Sequence, residues 1–517
     1  MIGDYAVKIS WSGSVEFTGP YDNVTTDCMY AEWSLGSSDP QSLVAEAGRC
    51  RLVLDDSWSN QSGALSLYSP DNAGGALYGQ LLPARLVQIS CTYNSVTYIL
   101  WTGYVQSITP HPDKFEVDID CVDNIWLLSE ADLILETQVD RRVDELLQSI
   151  ILSVGQPRSA AGYWILGDSK LGLGTKLAPS ADIGFELQTG IATIPYAGWI
   201  GDDTNCLQAI REICNMEWAT GFCMGRDGKA YFYNRHHRFT GRYGTPDAVI
   251  DNSMQGITLR RSISTIANRV TVEFTPITAT AGVKTAELVI SDERVYVASS
   301  TDVNVPVVVD DAAEQTFGLD YINPVATTDV IIRSNATTAI ITDQYTWSII
   351  EEAADHVTIR FMQGGPLGYI DKLEVRGTKL QQFPAVGFTE NDSVSQFDFL
   401  RQDLVHELGP NGDTAFAKGL AKILLAEHKD ARTHVSSIQL VNQSATAYTH
   451  ILARTLYDYI NVKQSNSGID EGLWLVGESH TVEAGRHKVT WTLRPDTLYD
   501  YWVLGESELG TETRLMA

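Results

Sequence analysis

The segment Phe115-Glu116-Val117-Asp118-Ile119-Asp120-Cys121 alternates apolar side chains with carboxylates at every step. A β-strand sends successive side chains to opposite faces, whereas a helix would spread these acids around its whole circumference. This segment is therefore a strand with one face in a core and one outside it, and it needs neighbours of the same kind. Residues 85–91 supply one, with Val87, Ile89 and Cys91 on the apolar face. The turn Tyr93-Asn94-Ser95 then leads into residues 97–104, which makes a hairpin. Residues 1–130 read as a first β region, with a polar, Gly/Ser-rich surface loop over 55–79.

Residues 131–255 read as a mixed α/β module. Asp140 is expected to cap a helix through Val143, Leu146, Leu147, Ile150 and Ile151. Residues 155–200 are Gly-rich without a period, which predicts loops. Asp203-Thr204 is expected to start a second helix carrying Leu207, Ile210 and Cys214 on one face, and Asp227-Gly228 marks a hairpin turn. The strand pattern resumes near 257, with Val270, Val272 and Phe274 alternating. The expected layout is a second β region split into 256–295 and 430–498. Between its halves, 296–429 holds an inserted β-sandwich plus a helical segment, in which Asp413-Thr414 caps Phe416, Leu420, Ile423 and Leu424. A weaker helix is expected over 446–458, Val489-Thr490-Trp491-Thr492-Leu493 is a closing strand, and 499–517 forms a tail.

Charge narrows the function. The net charge of the 517 residues is -28. Residues 1–130 hold 5 Lys and Arg against 16 Asp and Glu, and residues 256–517 hold 21 against 34. Tight nucleic-acid binding needs cations that replace condensed counterions, so this balance disfavours it; a surface that DNA passes without sticking is compatible with it. The opening MIGDYAVKIS lacks a signal peptide's basic start and apolar run, and no apolar stretch approaches the ~20 residues of a membrane helix. The expectation is a soluble protein made in a cytoplasm, with no membrane segment.

A search for chemistry returns little. There is no HExxH, GxxxxGK[ST], GxSxG or EF-hand loop. His236-His237 are neighbours that point apart and read as solvated. Asp55-Asp56 fits a turn after a strand, Asp202-Asp203 a helix start, and Asp310-Asp311 a loop, with calcium ligation there the disfavoured alternative; adjacency does not give the cross-cleft separation that acid–base work needs. The seven cysteines form no CxxC pair, and Cys91 and Cys121 sit at apolar strand positions as small buried residues. No catalytic, cofactor-binding or metal-ligating residue is named, and no cofactor and no enzyme activity are expected. The 48 aromatic residues suit core packing and subunit contacts better than a sugar-binding face.

Short motifs in order nonetheless carry a resemblance. They include Trp33-Ser34-Leu35-Gly36, GRCRLVLDD over 48–56, Tyr68-Ser69-Pro70-Asp71-Asn72 and the run from Leu77 to Arg85. Trp101-Thr102-Gly103-Tyr104-Val105, Asp227-Gly228-Lys229 with Phe232-Tyr233-Asn234-Arg235, and Asn268-Arg269-Val270 follow. Leu373-Glu374-Val375-Arg376-Gly377, Val476-Gly477-Glu478-Ser479-His480 and 485–495 complete the series. Together these resemble the tail-tip, or baseplate, hub proteins of long-tailed siphovirus-type bacteriophages and prophages over nearly the whole chain.

The resemblance implies a mainly β fold with α+β modules: two tail-tube-like β-barrels, a mixed α/β module and an inserted β-sandwich. It implies a homotrimer at the virion tail tip, assembled in the host cytoplasm. The trimer would join the tail tube or distal tail protein, and the tape measure protein, to central fibre or receptor-binding proteins. DNA would pass without specific binding. Apart from the resemblance, Glu116, Asp118 and Asp120 are expected on a lumen-facing or solvent-facing acidic strand surface. Two rival expectations are a receptor- or carbohydrate-binding tip protein and a cell-wall-degrading tail enzyme. The latter is disfavoured because the chain stops at Ala517, soon after the closing hairpin.

Overall fold

Twenty-eight strands are described, and their chain order shows how the modules interleave. The first region supplies β1 (Asp4–Ile9), β2 (Cys28–Gly36), β3 (Arg49–Asp55), β4 (Leu86–Tyr93), β5 (Val96–His111) and β6 (Glu116–Val122). The mixed module carries β7 (Gln138–Arg142), β8 (Phe185–Leu187), β9 (Thr193–Ala197), β10 (Gly221–Met224) and β11 (Ala230–Tyr233). Then come β12 (Ala248–Ile250), β13 (Gly256–Arg260) and β14 (Arg269–Thr275). The insert runs through β15 (Ile277–Glu287), β16 (Tyr296–Val297), β17 (Val303–Val309), β18 (Thr316–Ile322), β19 (Val330–Ser334), β20 (Thr346–Glu352), β21 (His356–Met362) and β22 (Gly368–Gln382). After β23 (Val386–Asn391) and β24 (Asp403–Pro410), the chain closes on β25 (His434–Val441), β26 (Tyr459–Gln464), β27 (Ile469–Glu483) and β28 (Arg486–Pro495). This computed structural model describes residues 3–14, 16–131, 133, 135–154, 184–199, 205–218, 220–237, 245–251, 254–287, 294–297, 302–309, 316–352, 356–362, 364–410, 414–483 and 485–495. The fold is mainly β, in several sheets.

One twelve-stranded sheet organises the molecule, in the order β1-β4-β5-β6-β3-β2-β27-β28-β25-β13, with β26 on β27 and β12 on β26. The two β regions thus share a single sheet, joined where β2 pairs antiparallel with β27 from Tyr30↔Glu483 to Gly36↔Gly477. The alternation that opened the sequence reading holds on β6, where Val117, Ile119 and Cys121 are at most 1% exposed. The β4–β5 hairpin turns on Asn94 and Ser95, both at positive φ (50° and 65°), the geometry that matches strand twist in a two-residue turn. One apolar core underlies the sheet and includes Trp11, Trp101, Phe222, Tyr448 and Trp491. The 55–79 loop is not wholly superficial: Leu67, Tyr68 and Leu77 are buried in this core.

Several local expectations change. Asp140 does not cap the first helix of the mixed module. It lies in β7 at φ 49°, and the helix Val143–Val154 is closed instead by Glu145, whose carboxylate accepts from Arg142 N at 3.1 Å. Asp202, Asp203, Asp310, Asp311 and Asp413 lie outside the described residues. Asn205 caps the helix Cys206–Glu217 by accepting from Gln208 N at 2.8 Å. Part of the stretch expected as loops is strand, namely β8 and β9. The helix expected over 446–458 is Ala445–Ala453, capped by Ser444.

Of segment 256–295, β13 alone joins the long sheet. β14 sits between β23 and β24 in a separate three-stranded sheet that packs on the helix Thr414–His428, and β15 begins the insert. The insert forms an eight-stranded assembly around β22 with its own core of Val305, Val307, Ile359, Phe361 and Val375.

Candidate functional site: the seam and polar face of the long sheet

Where β2 meets β27, the strands come very close. A side chain on Gly36 (φ 82°) would meet Val476 O at 2.3 Å, and one on Gly477 would meet Ser37 O at 2.1 Å. Only glycine fits this crossing. On the core side, Trp33 of β2 stacks on His480 of β27, with ring centroids 4.9 Å apart and planes 7° from parallel.

Under the seam runs a chain of buried polar groups from every module of the core. Arg226, in the β10–β11 turn, holds Glu478 through Nε–Oε1 (2.8 Å) and Nη2–Oε2 (2.6 Å). It also donates to the Leu452 and Ile451 carbonyls, which close the helix Ala445–Ala453. His480 Nε2 lies 3.2 Å from Glu478 Oε2, His480 Nδ1 is 2.8 Å from His487 Nε2, and His487 Nδ1 is 2.7 Å from Tyr5 Oη. Tyr448 Oη donates to Tyr5 Oη at 2.8 Å and is reached by Gly3 N (3.1 Å) and Cys91 Sγ (3.2 Å).

One protonation pattern gives each hydrogen bond of this chain a donor and an acceptor. Tyr5 accepts from Tyr448, so its own proton points to His487 Nδ1. His487 then carries its proton on Nε2 and gives that bond to His480 Nδ1. The remaining His480 proton sits on Nε2, facing the carboxylate. Both imidazoles are neutral in this arrangement. Burial lowers both below the ordinary histidine value, and at His487 the neighbouring His480 and Arg226 lower it further. Burial alone would raise Glu478, but the Arg226 guanidinium and His480 reverse that and hold it down to about 2. The one full charge pair is thus Arg226–Glu478, and the rest is a neutral relay of hydrogen bonds.

Glu116, Asp118 and Asp120 do come together, on the polar face of the same sheet. Asp118 accepts from Arg51 at 2.8 Å and lies 3.3 Å from His111 Nε2, while Asp120 accepts from Ser107 Oγ at 2.9 Å. Strand register extends Asp120 into a row, whereas Asp118 faces Val53 and Glu116 faces Asp55. Asp120 faces Arg51, Arg51 faces Glu32, Glu32 faces Thr481, and Thr481 faces Lys488. This row crosses the seam with alternating charge, so the face is mixed rather than purely acidic. Burial raises Asp118, but Arg51 and His111 outweigh it and hold the carboxyl below its ordinary value.

His237 is not simply solvated. Its ring contacts Gln188 Nε2 (3.0 Å) and Tyr457 O (3.1 Å), tying the mixed module to the closing strands, while His236 is exposed. Among the described residues, no group of three His, Cys, Asp or Glu could hold a metal ion, and no helix is long and apolar enough to cross a membrane.

The fold is similar to that of phage and prophage tail proteins. A tail protein from Neisseria meningitidis aligns over 96% of this chain and 97% of its own, at 10% identity and a TM-score of 0.48. The 43 kDa tail protein of prophage MuSo2 from Shewanella oneidensis aligns over 96% and 99%, at 9% identity and 0.47. A prophage tail protein from Listeria monocytogenes aligns over 95% and 94%, at 8% identity and 0.38. No family model and no curated protein matches the sequence.

Arg226, Glu478, His480 and His487 do not announce themselves as a unit in the sequence. A signal was present: Glu478, His480 and His487 occupy inward strand positions that the alternation otherwise gives to apolar residues such as Val489 and Trp491.

Proposed function

We propose that this chain is a structural protein of a phage tail, and within it the hub of the tail tip. In this reading three copies form a ring that joins the tail tube to threefold tip or fibre proteins and leaves a path for DNA. The observation that carries it is the single sheet running through both β regions across the β2–β27 seam. Such a sheet is a wall, sealed on one face by a core and polar on the other. The ordered motif resemblance along the chain supports the same reading. β13 pairs on one side with β25, and the described strands leave its other edge open, a place for a neighbouring copy to pair.

Glu116, Asp118 and Asp120 face the lumen in this proposal. Their carboxylates, interrupted by Arg51 beside Asp118 and Asp120, would repel DNA weakly and give its phosphates no continuous basic track. Immunoelectron microscopy of particles carrying this chain tests the placement: label at the tail tip is expected, and label spread along the shaft would overturn it. An electron cryomicroscopy map with these three carboxylates on the outer wall would refute the lumen assignment.

A second reading draws on the insert, whose separate core marks it as a unit that could present a receptor- or carbohydrate-binding surface. Glycan-array binding by the full chain, lost when the insert is deleted, would favour it.

A further inference from the structure

We propose that Cys50 and Cys121 form a redox pair that closes to a cross-strand disulfide, pinning β3 to β6. The two residues lie directly opposite one another in antiparallel register, Cys50↔Cys121. Directly opposed residues project to the same face, and both side chains enter the core, at 3% and 1% exposure. Both are free thiols. Opposed residues in an antiparallel pair stand roughly 4.5–5.5 Å apart at Cα. That lies inside the roughly 4.4–6.8 Å that a disulfide spans, so the strand separation admits the bond.

No other described cysteine has this placement. Cys28 faces Leu54, Cys91 faces Tyr5 and Tyr98, and Cys223 faces Tyr231. Cys206 and Cys214 lie two turns apart in one helix. The Cys50 thiol is pushed well up by burial first and by the adjacent Cys121 thiol second.

A low-molecular-weight disulfide such as oxidised glutathione balances the reaction. One cysteine thiolate attacks it, forming a mixed disulfide and releasing one glutathione thiolate. The second cysteine thiolate attacks the protein sulfur of that bond and releases the other. The pair loses two electrons, the glutathione disulfide gains them, and the two cysteine protons pass to the two released thiolates. Burial suppresses the thiolate, so closure is slow and speeds up as pH rises. The bond closes a loop of about 70 residues that contains β4, β5 and the 55–79 loop, and so restrains the unfolded chain. A particle protein made in a reducing cytoplasm and carried outside it would meet this oxidation after assembly. That timing rests on the tail reading; the bond itself does not.

The test uses the full-length, folded protein. It is incubated with oxidised glutathione at mildly alkaline pH, alkylated in denaturant, and read by intact mass and peptide mapping. Titratable thiols should fall from seven to five, with one linked peptide joining Cys50 to Cys121. The guanidinium midpoint should rise and return on reduction, and Cys121→Ala should abolish the rise. Seven alkylated thiols after prolonged oxidation, or a linked peptide joining other cysteines, would overturn the proposal. Neither result depends on whether the chain assembles into a tail.

Discussion

Arg226 and Glu478, 252 residues apart in sequence, meet in the interior as a two-pronged ion pair with N–O distances of 2.8 and 2.6 Å. The guanidinium belongs to the mixed module and the carboxylate to the seam strand, so the pair binds the turn at Asp227-Gly228 to the joint between the two β regions. Removing one partner strands the other without solvent. Arg226→Met should therefore cost about 3–5 kcal/mol, read as a lowered guanidinium midpoint. A loss below 1 kcal/mol would mean that water reaches Glu478.

The buried relay should make its own contribution to stability fall on acidification. His480 and His487 titrate below the ordinary 6.5 in the folded state, so below that pH the unfolded chain binds more protons and folding loses free energy. Glu478, held down to about 2 against 4.5 when unfolded, adds stability that is complete above 4.5 and is lost as pH falls toward 2. The relay's contribution to the denaturant midpoint should drop once pH passes below about 6.5 and drop further below 4.5. His487→Gln should flatten the upper part of that fall. Buried carboxyls such as Asp123, raised to about 7, act with the opposite sign in the same window, so the comparison is with the variant: equal pH dependence of parent and His487→Gln between neutral pH and 5 would contradict the neutral relay.

The glycine crossing is a steric prediction. Gly477→Ala places a methyl against the Ser37 backbone, where an ideal Cβ would lie 2.1 Å from the carbonyl oxygen. The seam must open, at a cost of about 1–3 kcal/mol. Hydrogen exchange should quicken at β2 and β27 before it does so elsewhere in the sheet.

The polar face should be dispensable for folding. Arg51–Asp118 is an exposed pair, so Arg51→Ala should change stability by less than about 1 kcal/mol. The combined Glu116→Gln, Asp118→Asn and Asp120→Asn variant should keep the parent's solution mass. In particles it should slow DNA release, and an unchanged release rate would remove these carboxylates from the conduit.

Much of this architecture is legible in periodicity, and its limits have physical causes. Val117, Ile119 and Cys121 announce their strand because a half-buried strand must alternate. Asp227-Gly228 announces its hairpin because Gly228 sits at φ 82°. The segment 256–295 reads as one piece of the second β region because β13, β14 and β15 all carry the strand pattern, and period two says nothing about which neighbour a strand pairs with; the structure places them in three sheets. Asp140 looked like a cap because capping residues also suit other irregular backbone. Arg226 and Glu478 were invisible as a pair, since nothing local in the sequence links a turn to a strand 252 positions away. The joining of two β regions into one wall follows from the register Tyr30↔Glu483 alone, a contact that alternation permits but does not specify.

Solution mass tests the central proposal most directly. A ring of three copies predicts a species near three times 56.9 kDa, about 171 kDa, by light scattering of the purified chain. A single species at 56.9 kDa across the accessible concentration range would contradict a self-assembling hub.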